Sequence, residues 1–282
     1  MRFVPAIAAI AALVLLSLAL IPLQLLAMAL RQKAIMRRLP LWWHRAARAI
    51  IGVRVHVHGT PSAERPLLLI ANHVSWLDIL VLGSVMELSF ISKAEVATWP
   101  IFGLFAKLQR SVFVTRERRS KTGEVASEIA DRLAEGDVLV LFGEGTSSNG
   151  THVLPFRTAL VGGAAMAAQS AGGDGAIIQP LAINYTQIHG VPIGRFHKPR
   201  IAWYGDMEMP AHLWWVVRNG AIDVDVVFGE PLPFGEGTDR KRTAKAAEVA
   251  VRHMVGEATA GRLERVSKKS GRSRQDNQRE AA

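Results

Sequence analysis

The stretch Pro66-Leu67-Leu68-Leu69-Ile70-Ala71-Asn72-His73-Val74-Ser75-Trp76-Leu77-Asp78-Ile79-Leu80-Val81-Leu82 decides how this chain folds. It opens on an unbroken apolar run of the length of a strand buried on both faces. It closes on a second apolar run that reads as a helix from about Trp76 to Met86. A polar cluster between a buried strand and a helix falls at the sheet edge where α/β proteins bind ligands. The imidazole of His73 can take a proton from a hydroxyl, because a free imidazole changes charge near neutrality. Asp78, five residues on, can orient that imidazole only if His73 stays on the loop and Asp78 enters the first helical turn. Five is not a contact spacing along a helix. Ser75 then fits the N-cap, with Asp78 three residues later as in a capping box. The same residues also read as plain turn and cap chemistry, with Asp78 complementing the helix dipole.

On either side of this stretch, strands alternate with helices. Val53, Val55 and Val57 alternate with Arg54, His56 and His58, a half-buried strand whose H-x-H pair reads as a solvated face rather than a metal site. Leu88–Ser92 is a short strand followed by Lys93-Ala94-Glu95. Ala97–Leu108 is apolar enough to be a short helix lining a pocket, touching a membrane or filling a core. Val112-Phe113-Val114 is a strand ending in Thr115-Arg116. Lys121–Leu133 reads as a helix stopped by Gly136, and Asp137–Phe142 as a buried strand opening into Gly143-Glu144-Gly145-Thr146. Phe156–Gln169 is helical, with Gly162-Gly163 at a close helix contact. Ala176–Tyr185 is extended, and Pro180 assigns it to an edge or a bulge. Ile201–Tyr204 and Ile222–Phe228 read as strands, and Thr238 to about Met254 as a closing helix. The class is α/β: a single domain with a mixed sheet flanked by helices, preceded by an N-terminal membrane helix.

That helix comes from the 28 residues Phe3 to Leu30, which hold no charge. A bilayer core takes roughly 20 apolar residues. Pro22 and Gln24 interrupt the run, so the spanning part reads as Phe3 to about Ile21. The run is too long for a signal peptide's apolar region, although Ala27-Met28-Ala29 resembles a cleavage site. Arg31, Lys33, Arg37, Arg38, Arg45 and Arg48 follow with no acid before Glu64, which places the catalytic body in the cytoplasm by the positive-inside rule. The chain has 282 residues, no Cys and a net charge of +10. The missing Cys fits a reducing compartment and excludes thiolate catalysis and Cys-type zinc sites. Residues 262–282 carry seven Lys/Arg against three acids, a basic tail read as disordered. Positive charge beside the anchor suits anionic lipid headgroups. No nucleic-acid-binding signature accompanies it. The expected division is an anchor at 1–33, a catalytic domain at 34–261 and the tail at 262–282.

Three polar clusters follow buried strands: Asn72–Asp78, Thr115–Arg119 and Gly143–Gly150. In an α/β sheet such loops converge on one edge, bringing together a base, a carboxylate, a guanidinium and exposed backbone N–H groups. The fork of Arg116 can hold a phosphate or carboxylate, though Arg116–Arg119 also reads as a solvated face.

Asn72-His73 with Asp78 resembles the N-H-x-x-x-x-D motif of the glycerolipid acyltransferases, the family of 1-acylglycerol-3-phosphate acyltransferases. Phe113-Val114-Thr115-Arg116 resembles that family's second motif, which ends in a substrate-binding Arg. Phe142-Gly143-Glu144-Gly145-Thr146 resembles its third, F-P-E-G-T, and Gln179-Pro180-Leu181-Ala182-Ile183 its proline-containing fourth. The four stand in family order from Asn72 to Ile183. Gly143 replaces the family's Pro, which is expected to loosen that turn. Ser147 stands where the family often has Arg, a residue expected to help hold an acceptor phosphate. The run through Ser147-Ser148-Asn149-Gly150 to Arg157, and Ala202-Trp203-Tyr204-Gly205-Asp206, resemble more closely the bacterial lyso-ornithine lipid acyltransferases, whose acceptor carries no phosphate.

The resemblance implies an O-acyltransferase of the bacterial inner membrane, single-pass, with His73 as base and Asp78 as its orienter. It implies Asn72, Lys93, Arg116, Glu144, Gly145 and Thr146 around the substrate. The partners implied are an acyl-carrier protein or acyl-CoA donor, a lysolipid acceptor and membrane lipids, with no nucleic acid, no cofactor and no metal. Backbone N–H groups near Gly145 would steady the oxyanion. Two other classes remain open. A serine hydrolase is disfavoured by the missing G-x-S-x-G elbow. A non-enzymatic basic membrane tether explains the anchor and tail but not the polar clusters.

Overall fold

The computed structural model describes residues 3–114, 122–172 and 175–263. Helix α1 (Phe3–Ala29) turns back into α2 (Lys33–Ile51), which leads to β1 (Val53–His58) and β2 (Leu67–Ala71). Then come α3 (Leu77–Val85), β3 (Ser89–Lys93), a 3-10 turn at Ala94–Thr98, α4 (Phe102–Leu108) and β4 (Val112–Val114). Next are α5 (Thr122–Ala134), β5 (Val138–Phe142), α6 (Thr158–Gly172), β6 (Ala176–Ile188) and β7 (Val191–Pro192). A 3-10 turn at Lys198–Arg200, α7 (Met209–Asn219), β8 (Ile222–Phe228), β9 (Leu232–Phe234) and α8 (Arg240–Thr259) complete the described chain.

The strands form one mixed sheet in the order β1-β8-β6-β2-β5-β3-β4, with β7 and β9 beside β6. β6, β2, β5, β3 and β4 are mutually parallel, while β8 runs antiparallel to β6 and parallel to β1. The parallel part explains the unbroken apolar runs, because helices cover both faces. In β2, Leu67, Leu69 and Ala71 face the core shared with α2, α3 and α7, and Leu68 and Ile70 face the core shared with α5, α6 and α8. The C-terminal ends of β2, β5, β3 and β4 therefore lie on one edge, and their loops can meet there.

Two sequence expectations are corrected. β6 is an interior strand although it holds Pro180, so the edge alternative fails, while the strand does carry a bulge, between Tyr185 and Gln187 and not at the proline. On one side Pro180 is in register with Ile70 of β2. On the other, pairing with β9 ends at Ile178 and pairing with β8 starts at Leu181. The missing N–H falls in that gap, and the Pro180 carbonyl still accepts from Gly229 N at 2.9 Å. Ile201–Tyr204 is not a strand. Ile201 and Ala202 are buried, but the chain there runs from a 3-10 turn into a docking loop. A four-residue apolar run cannot distinguish these outcomes. Helix α7 had no clear sequence signal, since Pro210 and two adjacent Trp residues blur its period.

Helix α1 fits a membrane anchor by length and composition. It is continuous through Pro22, and it is about 40 Å long at 1.5 Å per residue. It lies along the domain at three points. Phe3 meets Trp214 of α7 edge to face at 5.4 Å, and the Ser17 hydroxyl accepts from Trp43 Nε1 of α2 at 3.0 Å. Gln24 Nε2 donates to Met36 O at 3.0 Å and to Leu108 O at 2.8 Å. This explains the polar residue in the apolar run. Pro40 in α2 has no N–H, so the carbonyl of Met36, four residues earlier, loses its helical partner. Leu108 ends α4, where carbonyls are also unpaired. One amide satisfies both, where a buried orphaned carbonyl would cost about 1–3 kcal/mol, although its own Oε1 is buried without a partner among the described residues.

Candidate active site

The loop after β2 is held from several sides. The side-chain amide of Asn72 donates to Ile183 O at 3.0 Å and accepts from Ile183 N at 2.8 Å. It thus acts as a peptide group and extends the β2–β6 ladder beyond the Ala71–Leu181 pair. Asn72 is buried, so it shapes the loop from behind and offers no surface to substrate.

His73 is clamped by its own backbone. Its N–H donates to Glu144 Oε1 at 2.7 Å, and its carbonyl accepts from Ser148 N at 2.9 Å. The ring lies flat on Phe142, with centroids 3.9 Å apart and planes 15° apart. Nδ1 is 2.8 Å from Asp78 Oδ2. An ionised carboxylate can only accept here, so Nδ1 carries the proton, and in the neutral imidazole Nε2 keeps its lone pair. The His73 side chain remains partly exposed and lines a large cavity.

Asp78 is fully buried in the first turn of α3. Its Oδ2 also accepts from Val74 N at 2.7 Å and Ser75 N at 3.0 Å, and its Oδ1 accepts from the Tyr185 hydroxyl at 2.8 Å. Four donors on one carboxylate satisfy its charge without a cation. Burial and the neighbouring carboxylate push the Tyr185 phenol well above its ordinary range, so it stays a donor. The capping expectation holds only in its second half. The carboxylate reaches back to Ser75 N, while Ser75 Oγ is buried without a partner and Trp76 occupies the cap position.

Glu144 also differs from expectation. Its side chain is buried under the loop, with Oε1 on His73 N and Oε2 accepting from Leu154 N at 2.9 Å. It ties two loops together rather than facing substrate. Burial, the largest influence, raises its carboxyl to about 7, against the pull of those two N–H groups. Between pH 4.5 and about 7 the folded chain holds this proton while the unfolded chain releases it. Stability therefore falls as pH rises through that window. Glu144→Gln should remove that slope, and its amide should place an N–H against one of the two backbone donors. Melting temperatures of both proteins across the window test this; an identical slope would exclude Glu144 as its source.

The turn after Phe142 is tight, not loosened by Gly143. Gly143 N donates to Ala71 O at 2.9 Å, and its carbonyl accepts from Arg157 N at 2.8 Å. A Cβ on Gly143 would sit 2.6 Å from the Phe156 ring, so the aromatic side chain occupies the space another residue would need. Gly145 takes a φ of +67°, suited to glycine, and its N–H donates to Phe142 O at 3.0 Å. The Gly145 N–H itself is thus used within the turn, and of the N–H groups near Gly145 those of Thr146 and Ser147 have no acceptor among the described residues.

The cavity has a volume of about 1270 Å³. Besides His73 it is lined by Gly145 and Thr146, by Lys93 at the end of β3, and by apolar side chains of α1, α4 and α7. The Ala97–Leu108 segment supplies Trp99, Phe102 and Phe105 to its wall. Arg116 lies outside the described residues, as do Thr115 and residues 264–282 of the tail. Trp76, beside the base, is fixed by an Nε1–H bond to His212 Nδ1 at 2.9 Å. Sequence reading missed Tyr185 and His212 because their partners lie more than a hundred residues away. His56 and His58 pair with Asp223 and Asp225 of β8 at 3.0 and 3.2 Å. Among the described residues no His/Asp/Glu group has metal-site geometry.

Residues 54–184 match the Acyltransferase family model. The chain is 49% identical to the lyso-ornithine lipid O-acyltransferase of Brucella abortus, over 90% of this chain and 94% of that one. It is 46% identical to the protein of the same name from Rhizobium meliloti, over 91% and 87%. The fold matches the crystal structure of the 1-acyl-sn-glycerophosphate (LPA) acyltransferase from Thermotoga maritima, with a TM-score of 0.64 and 21% identity, covering 92% of this chain and 98% of that one. A buried carboxylate and its histidine at the edge of the parallel part of the sheet, opening into an apolar cavity, therefore come with kinship along most of the chain, and the protein belongs to the acyltransferase family.

Proposed function

We propose that the protein acylates the free hydroxyl of lyso-ornithine lipid in membrane lipid biosynthesis, using a fatty acyl thioester of acyl-carrier protein or coenzyme A. The observation that carries this is the His73 imidazole, committed through Nδ1 to Asp78, lining an apolar cavity partly walled by α1. A base so placed meets a hydroxyl carried on a lipid. The names of the relatives point to the acceptor.

His73 Nε2 takes the hydroxyl proton as the oxygen attacks the thioester carbonyl carbon. Asp78 stabilises the imidazolium. The tetrahedral intermediate collapses, the C–S bond breaks, and Nε2 returns the proton to the departing thiolate. The products are an ester and a free thiol, and no acyl-enzyme forms. Thr146 and Ser147 line the same cavity, and their backbone N–H groups have no acceptor among the described residues, which supports them as oxyanion donors. Gly145 and Thr146 shape the acceptor site, and Lys93 and Arg116 bind its anionic group. Asn72 and Glu144 serve by holding the loops.

Residues 1–33 attach the domain, 34–261, to the bacterial inner membrane, with the catalytic side cytoplasmic and the basic residues beside the anchor near anionic headgroups. Contacts of α1 with α2, α4 and α7 along its length favour a helix lying in the lipid interface beside the cavity over one crossing away from the domain.

The test is to incubate membranes carrying the protein with lyso-ornithine lipid and lysophosphatidic acid, side by side, with labelled acyl-carrier protein and CoA thioesters. Labelled ornithine lipid is expected. Label in phosphatidic acid alone would overturn the acceptor assignment, and label in neither would favour a tether.

A further inference from the structure

The cavity mouth carries charges of both signs. Lys93 and Glu95 stand on the segment after β3, and Asp206 stands on the loop before α7. Asp206 is exposed, and it has no hydrogen-bond or ion-pair partner among the described residues. The dyad and the cation expected for an anionic group leave this carboxylate unused.

Its backbone is well fixed. Trp203 N donates to Val74 O at 2.9 Å, which docks the loop on the residue after His73. The turn from Tyr204 to Met207 closes with Met207 N on Tyr204 O at 3.4 Å and has Gly205 at a φ of +60°. Trp203 Nε1 donates to Met207 O at 2.8 Å and locks it. Asp206 thus has a set position relative to the base. Trp203 also meets Trp99 edge to face at 5.9 Å, and both indoles line the mouth.

A carboxylate on the turn that Trp203 locks, in a cavity also lined by two indole rings, attracts a cation by charge, and the rings' electron-rich faces add to that attraction. It repels a phosphate. Ornithine carries a carboxylate and, at the end of its side chain, an ammonium. We propose that Asp206, with Trp203 and Trp99, forms the subsite that takes the ornithine ammonium and selects a zwitterionic, ammonium-bearing acceptor head over a phosphate. This rests on the lyso-ornithine reading above and adds the residues that make the choice. Ser147, where relatives of the phosphate-accepting kind often carry Arg, fits the same preference.

The experiment compares the full-length protein in lipid vesicles on two amino-acid acceptors, with lysophosphatidic acid run beside them. One is lyso-ornithine lipid. The other is its norvaline counterpart, which keeps the hydroxyl, acyl chain and carboxylate but lacks the ammonium. The natural protein should favour the ornithine head by about tenfold in kcat/KM, the worth of one charge-assisted contact. Asp206→Asn should abolish that preference through a higher KM for the ornithine head, with kcat and the norvaline acceptor unchanged. Asp206→Glu should retain most of the preference, and Asp206→Lys should invert it. A preference unaltered in Asp206→Asn overturns the proposal, as does an equal loss on both acceptors, which would mark a structural role. If the natural protein acylates lysophosphatidic acid and neither amino-acid acceptor, the acceptor reading itself fails, and that outcome is separable from the other two.

Discussion

His73→Ala should fold, stay with the membrane and transfer almost no acyl groups. The expected fall in kcat is about 10²–10⁴-fold, the usual worth of a positioned general base. The ring makes one side-chain hydrogen bond and one stacking contact, on Phe142. Its backbone, held by Glu144 and Ser148, supports the loop whatever the side chain. Thioester cleavage, followed as thiol release, reports the rate, and a thermal melt reports the fold. Near-normal turnover in a folded variant would remove His73 from the chemistry.

Asp78 is predicted to separate catalysis from stability. Asp78→Asn keeps an oxygen for Val74 N, Ser75 N and His73 Nδ1, and the Tyr185 hydroxyl can rotate to accept from the new amide. The fold should survive while the uncompensated imidazolium lowers kcat by about 10²–10⁴-fold, as in other carboxylate-backed histidines. Asp78→Ala removes all four acceptor contacts. Two backbone N–H groups and a phenol then lie buried and unpaired, each at about 1–3 kcal/mol. This variant should lose both rate and much of its thermal stability. Equal melting temperatures for the two variants would show that the carboxylate does not hold the loop.

The parts of this arrangement that could be read in the sequence are those whose cause is local. Leu67–Ala71 and Val138–Phe142 are apolar throughout because both faces are covered, and no polar alternation hides them. His73 and Asp78 lie within one loop and one turn, so their meeting needs only a local turn of the chain and could be posed from the sequence. What could not be read depends on contacts set by the fold. Asn72 and Glu144 are polar residues in motif positions, and the sequence cannot show that their side chains turn inward to complete a ladder and clamp a loop. Tyr185 reaches Asp78 only because β6 lies beside β2. Pro180 pointed to an edge, since the gap between β9 and β8 that accommodates it belongs to three strands at once. Ile201–Tyr204 took the apolar pattern of a strand for burial that a docking loop also achieves.

Gln24 ties α1 to α2 and α4, so on the function proposed above the helix facing lipid is also a wall of the chamber where the bond is made. An acyl chain entering along α1 exchanges one hydrocarbon surface for another and sheds little water on the way. The driving force for its capture is then small, and the membrane already supplies most of the affinity. What governs turnover is how crowded the bilayer is with lysolipid, its mole fraction among neighbours, rather than its amount per volume of water. Diluting the membrane with inert lipid should slow such an enzyme at constant bulk substrate, the behaviour of a catalyst whose solvent for substrate is two-dimensional.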